Sequence, residues 1–217
     1  MIQAIIFDFD GLIIDTEVPI FTAWQQTYAT YGAEMPFAEW EVNIGISGVF
    51  DAVRRLEELT GLTLDRESVL MDTRARSMAM VIEQPLLPGV REVIDGAVSL
   101  GLKLGVASSS TEQWVEGHLE RLGLRSHFGS VRCRDHVGAK KPDPAVYNAA
   151  LQQLGVPANQ AVALEDSAHG LHAALAAGMQ CVAVPSILTQ HMDFTGADLV
   201  VNSLAEHSLQ TLLSMLE

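Results

Sequence analysis

The sequence is poor in the residues on which several kinds of function depend. It has two cysteines, Cys133 and Cys181, without metal-ligand spacing, so they are expected to be buried strand residues rather than a disulfide, a metal site or a thiol nucleophile. No apolar run approaches the roughly 20 residues of a membrane-spanning helix. The N-terminus has no basic segment and aspartates break its apolar run, so a signal peptide is not expected and a cytoplasmic protein is. Positive charge is scarce: 13 Lys and Arg stand against 27 Asp and Glu, a formal net charge of −14. That balance opposes binding to nucleic acid and to anionic membranes. Only Lys103, Lys140 and Lys141 are lysines, and no histidine precedes His118. Nucleotide-binding loops are missing as well. No G-x-G-x-x-G follows the first apolar run, and GAVSLGLK lacks the Ser or Thr after an adjacent Gly-Lys that a phosphate loop needs.

What the sequence does have is apolar residues in short, patterned runs. They make up 48% of 217 positions, enough for one large domain or one domain with an insertion. Residues 4–9 are an apolar run that stops at acids and Gly11, the pattern of a buried strand ending in a loop. From 16 to 83 apolar residues recur at helical intervals with no strand candidate between them, and Thr16 can cap the first of these helices. After QPLLPG, helix and strand alternate. Helices are predicted over 90–100, 112–122, 143–154 and 168–177, and strands over 103–107, 130–133, 161–164 and 181–184. A short strand near 199–201 and a last helix follow. This alternation implies an α/β fold with a doubly wound, Rossmann-like parallel sheet. The helical stretch is then an insertion, an all-helical cap domain over 16–83 set into an α/β core formed by 1–15 and 84–217.

Open α/β sheets bind ligands beyond the carboxyl ends of their strands, so the polar residues after each expected strand are the candidates. Four sets qualify: Asp8 and Asp10 after the first strand, SSST from Ser108, KKP from Lys140, and EDS from Glu165. Carboxylates two residues apart share a face of an extended chain and offer the hard oxygens that suit Mg²⁺. Loop solvation or helix capping is the plainer reading of such a pair. Asp166, arriving from a second strand end, favours a metal site shared with phosphate oxygens. Ser108 lies between a strand and a helix N-terminus, a setting for phosphate, while capping is expected of at least one of Ser109, Ser110 and Thr111. A loop lysine is ordinarily just solvated, but Lys141 is one of only three. Asp15 reads as a helix-capping acid.

The runs DFDGLIIDT, ASSS, KKPDP and LEDSAHGLHAALAAGM together resemble the haloacid dehalogenase superfamily of phosphohydrolases. The likeness is to the subgroup with a helical cap after the first strand, which includes β-phosphoglucomutase-like phosphatases, and it covers nearly the whole chain. It implies that Asp8 is the nucleophile that forms an aspartyl phosphate. Asp10 would be the acid for the leaving oxygen and then the base for water, with its backbone carbonyl on Mg²⁺. Ser108, Ser109 and Lys141 would hold the transferring phosphoryl group. Asp166 would ligate Mg²⁺ beside Asp8, and Glu165 would act through water.

Branches of that family differ in readable residues. A dehalogenase would lack Asp10, and a phosphonate-cleaving enzyme would need a cap lysine, yet no lysine precedes Lys103. A sugar-phosphate mutase carries a cap histidine where this chain reads EVPIF, with Ile20 at the corresponding place. The favoured reading is therefore a Mg²⁺-dependent phosphatase acting on a small phosphorylated metabolite, a sugar or polyol phosphate. A phosphosugar mutase is the alternative. A receiver-like phospho-binding module is more distant, because such modules are shorter and lack the insertion. Substrate contacts are expected from the cap: Glu17, Phe21, Trp24, the loop from Gly45 to Val49, and Arg54, Arg74 and Arg76 as anion partners. Trp24 also fits an apolar helix stripe, and Arg54 with Glu58 an i,i+4 ion pair. A monomer is the default expectation.

Overall fold

The computed structural model of the protein describes residues 1–44 and 49–216. Strand β1 (Ala4–Phe7) is followed by four helices, α1 (Glu17–Thr30), α2 (Phe37–Trp40), α3 (Ala52–Thr60) and α4 (Arg66–Ile82). Alternation then begins with α5 (Val90–Ser99), β2 (Lys103–Ser108), α6 (Glu112–Arg121), β3 (Ser130–Cys133) and α7 (Arg134–Val137). It continues through α8 (Ala145–Leu154), β4 (Ala161–Glu165), α9 (Ala168–Ala176), β5 (Gln180–Ala183), β6 (Leu199–Val200) and α10 (Leu209–Ser214). The strands form one parallel sheet in the order β3-β2-β1-β4-β5-β6.

Alternation of side chains along the central strands makes the two layers. Ile5 and Phe7 of β1, with Val162 and Leu164 of β4, pack under α5, α6 and α10, while Ala4, Ile6, Ala161 and Ala163 pack under α8 and α9. Large residues therefore line one face and mostly small ones the other, and both faces are covered, which is why β1 and β4 are buried throughout. Cys133 and Cys181 are buried, free strand residues.

Helices α1 to α4 have a core of their own, built on Trp24, Tyr28, Trp40, Val53, Leu56 and Val69. Thr27 and Thr73 share a buried hydroxyl hydrogen bond of 2.7 Å between α1 and α4. The Tyr28 hydroxyl donates to the Ala52 carbonyl at the start of α3.

Several local expectations are corrected. Thr16 does not cap α1. Its hydroxyl is buried without a hydrogen-bond partner among the described residues, and Asp15 Oδ1 accepts the Val18 N–H at 3.0 Å instead. The ladder of β1 stops at Phe7, although the Asp8 N–H still donates to the Leu164 carbonyl at 2.9 Å. Helix α7 was not predicted, because one turn is too short to carry a period, and α8 begins two residues late, with Asp143 accepting the Ala145 N–H at 2.9 Å.

Candidate active site

The chain places its polar residues where β1, β2 and β4 end. Asp8 follows β1 directly. Glu165 closes β4 and Asp166 follows it. Lys141 reaches them from the segment before α8, and its Nζ lies 2.6 Å from both Asp8 Oδ1 and Glu165 Oε1. The Tyr147 hydroxyl donates to the same Glu165 oxygen, and its ring lies beneath the ammonium, 5.0 Å from Nζ to the centroid. All of these groups are buried: Asp8 is 7% exposed, Lys141 3%, Asp166 3% and Glu165 0%.

Two glycines make room for the acids. Gly11 has φ +80°, and a Cβ there would lie 2.1 Å from Asp166 Oδ2. A Cβ on Gly170 in α9 would lie 1.8 Å from Glu165 Oε2.

Electrostatically the site holds more negative charge than it can balance. Burial opposes the charged form of Lys141, but Asp8 and Glu165 outweigh it and hold the ammonium's pKa above its ordinary value. Burial pushes Asp8 up to about 7, against the pull of Lys141 and with help from Glu165 and Asp10. Asp166 is pushed well above the usual carboxylate range by burial and then by Asp8, Glu165 and Glu17. Ligand oxygens of Asp8, Glu165 and Asp166 lie within 4.8 Å of one another, and Glu165 Oε2 has no hydrogen-bond partner among the described residues. Three carboxylates facing one ammonium, with an unpartnered buried oxygen, fit a hard divalent cation such as Mg²⁺.

Asp10 is placed differently from its expected grouping. Its side chain stands outside that cluster and turns to the start of α6, where Trp114 Nε1–H donates to Oδ1 at 2.9 Å and the Ser110 hydroxyl donates to Oδ2 at 2.6 Å. Ser108 is fully buried; its Oγ lies 3.4 Å from Asp10 Oδ2 and accepts the Ser110 N–H at 3.0 Å. Ser109 Oγ accepts the Lys141 N–H at 3.1 Å, tying the two loops together. Capping of α6 falls to Thr111, which accepts the Trp114 N–H at 3.4 Å.

These groups form the floor of a cavity of about 710 Å³ whose other wall comes from α1, α3 and α4. Among the cap candidates, Glu17, Trp24 and Arg74 line it. Burial, then Asp10, Asp15 and Asp8, push the Glu17 carboxyl up to about 8. Phe21, Arg54 and Arg76 do not line the cavity. Phe21 packs on Phe37 and Trp40, Arg54 pairs with Glu58 at 3.1 Å on the surface, and Arg76 is exposed. In the expected loop from Gly45 to Val49, residues 45–48 lie outside the described residues.

Sequence reasoning missed Trp114, Ser110 as a partner of Asp10, Tyr147 and the cavity-lining Arg66, which pairs with Asp51 at 2.8 Å. A signal existed for two of them: an indole in the first turn after a strand-end hydroxyl cluster, and a polar-tipped aromatic on the buried stripe of α8.

A family model described as haloacid dehalogenase-like hydrolase matches residues 5–184. YhcW of Bacillus subtilis (strain 168), which carries a provisional phosphatase name, is 39% identical over 216 residues, covering 100% of this chain and 98% of the relative. Hexitol phosphatase B of Escherichia coli (strain K12) is 34% identical over 220 residues, covering 98% and 97%. The crystal structure of CbbY from Rhodobacter sphaeroides in complex with phosphate superposes with a TM-score of 0.76 at 33% identity, covering 95% and 96%. A variant of CbbY has also been solved with xylulose-(1,5)bisphosphate.

Proposed function

Because the chain belongs to the haloacid dehalogenase-like hydrolases and is a phosphatase of that family, we propose that it hydrolyses a small sugar or polyol phosphate in two displacements on Asp8. The observation that carries this reading is the buried contact between Asp8 and Lys141 on the floor of a cavity that a phosphorylated metabolite can fill. The substrate class is supported by relatives named for hexitol phosphates and solved with a sugar bisphosphate. Residues 16–83 act as the cap over a core formed by 1–15 and 84–217, and closure excludes bulk water.

In the first displacement an Asp8 carboxylate oxygen forms a bond to phosphorus as the bond to the ester oxygen breaks. Asp10 gives its proton to the departing alkoxide. In the second, water attacks the phosphorus of the aspartyl phosphate and passes a proton to Asp10, and the bond from phosphorus to Asp8 breaks. Both side chains are thereby restored. Ser108, Ser109 and Lys141 hold the transferring oxygens, and the ammonium offsets the charge that Asp8 and the phosphoryl group bring together. Asp8 and Asp166, with the Asp10 carbonyl and with Glu165 behind them, would hold Mg²⁺, which when bound neutralises charge on the phosphoryl group.

The test is phosphate release from a panel of sugar and polyol phosphates with Mg²⁺, repeated with Asp8→Asn. Turnover should vanish in that variant while its circular dichroism stays native, because the amide keeps the shape and removes the nucleophile. Substantial turnover by folded Asp8→Asn would falsify the assignment.

A further inference from the structure

The Asp10 carboxylate carries a donor on each oxygen, and no motif singled out in the sequence accounts for both. Trp114 Nε1–H points at Oδ1 from 2.9 Å, and Ser110 Oγ at Oδ2 from 2.6 Å. Trp114 is itself braced. Its ring meets that of His118 edge-on, with centroids 4.5 Å apart, and His118 lies against Phe9 and accepts the Arg121 Nε–H at 3.3 Å. A packed indole has little rotational freedom, so the direction of its N–H is set by α6 rather than by the loop that carries Asp10.

The two donors differ in kind. An indole N–H can only donate, whereas a hydroxyl can donate or accept. Trp114 therefore reserves Oδ1 as an acceptor. The transferable proton is left to Oδ2, where Ser110 and Ser108 accommodate either protonation state.

We propose that Trp114 is a positioning residue for phosphoryl transfer, one that fixes the Asp10 carboxyl so that Oδ2 carries the proton delivered to the leaving oxygen. This rests on the acid role of Asp10 proposed above. An acid must lie within about 3 Å of the oxygen it protonates, and a misplacement of about 1 Å can cost on the order of a hundredfold. A carboxyl clamped by a rigid ring meets that demand better than one free to rotate. The competing reading is that Trp114 only fills space between α6 and the cavity, and in that case a phenyl ring would serve as well.

Trp114→Phe separates the two, because it keeps the ring and deletes the donor. The readout is kcat/KM, which covers steps up to loss of the leaving group, for benzyl phosphate and p-nitrophenyl phosphate with Mg²⁺. A benzyl alkoxide needs a proton to leave and a nitrophenolate hardly does. Trp114→Phe should lower kcat/KM for benzyl phosphate about tenfold or more, with a several-fold smaller loss for p-nitrophenyl phosphate. Equal losses on both substrates, or none, would overturn the proposal. Asp10→Asn serves as the reference. If it is selective against benzyl phosphate and Trp114→Phe is not, the clamp fails alone; if Asp10→Asn shows no selectivity, the acid role falls and the clamp with it. Should Trp114→Phe not fold, Trp114→Leu, which likewise fills the site without a donor, carries the same comparison.

Discussion

Glu17 gives the cavity a pH signature. Burial and three neighbouring aspartates push its carboxyl up to about 8, and burial pushes Asp8 up to about 7. In the unfolded chain both ionise near the ordinary value of about 4. Across the window between, the folded protein keeps protons that the unfolded chain has released. Stability of the Mg²⁺-free protein therefore falls as pH rises through the window and levels off above it. Asp166, held well above the usual carboxylate range, acts in the same direction, and Glu17→Gln removes one of these groups. In EDTA, its thermal midpoint should fall less than that of the wild type between about pH 5 and pH 8. A wild-type midpoint that climbed across this range would contradict the raised pKa values. At this scale the sequence was legible where strand-end residues pointed to groups that meet in space, as Asp8, Lys141 and Asp166 do. It was not legible where the partner decides the role: a helical period marks Tyr147 as core, but nothing in the chain says that its hydroxyl reaches Glu165.

Helix α9 shows how an element can depend on one missing side chain. An alanine in place of a helical glycine ordinarily stabilises by about 1 kcal/mol. At Gly170 the new methyl would lie 1.8 Å from Glu165 Oε2, and Glu165 cannot swing aside, because Lys141 and Tyr147 hold its other oxygen. Overpacking of this kind costs about 1–3 kcal/mol, so the clash outweighs the propensity gain. Gly170→Ala should unfold at lower denaturant and lose activity together. A variant as stable and active as the wild type would mean that the Glu165 side chain relocates at little cost. The order and type of the longer elements followed from hydrophobic period, since burying one face of a helix or both faces of a strand leaves that period in the chain. Helix ends were less legible. Asp15 and Thr16 are both capping residues by type, and only the packed entry into α1 determines that Asp15 accepts the amide while Thr16 is buried.

The whole molecule brings two cores together around one cavity. Apolar side chains of α1 to α4 close on each other, those of the sheet helices close on the sheet, and polar ends of β1, β2 and β4 meet α1, α3 and α4 across the gap. A further link runs from Glu41 to His191 at 3.1 Å, with the His191 ring edge-on to Phe37. No helix among the described residues is long and apolar enough to cross a membrane. The excess negative charge at the floor is a property of the assembled site, and relieving it should stabilise the whole fold. A ligand at about 100 times its Kd adds about 2.7 kcal/mol, so saturating Mg²⁺ should raise the thermal midpoint of the EDTA-stripped protein by several degrees. Asp166→Asn should abolish most of that shift. An equal shift in the variant would place the cation elsewhere.

By itself the sequence determined the doubly wound sheet, the helical stretch between β1 and β2, and the strand ends at which the polar residues gather, because period and strand-end polarity are local and written in the order of residues. Tertiary structure alone decided that Asp10 turns to Trp114 and Ser110 rather than to the other acids, that Tyr147 joins the buried network, and that Arg66 and Arg74 line the cavity while Arg54 and Arg76 do not. Those outcomes depend on which side chains from distant elements arrive within hydrogen-bond reach, and a distance between elements is not encoded at any one position in the chain.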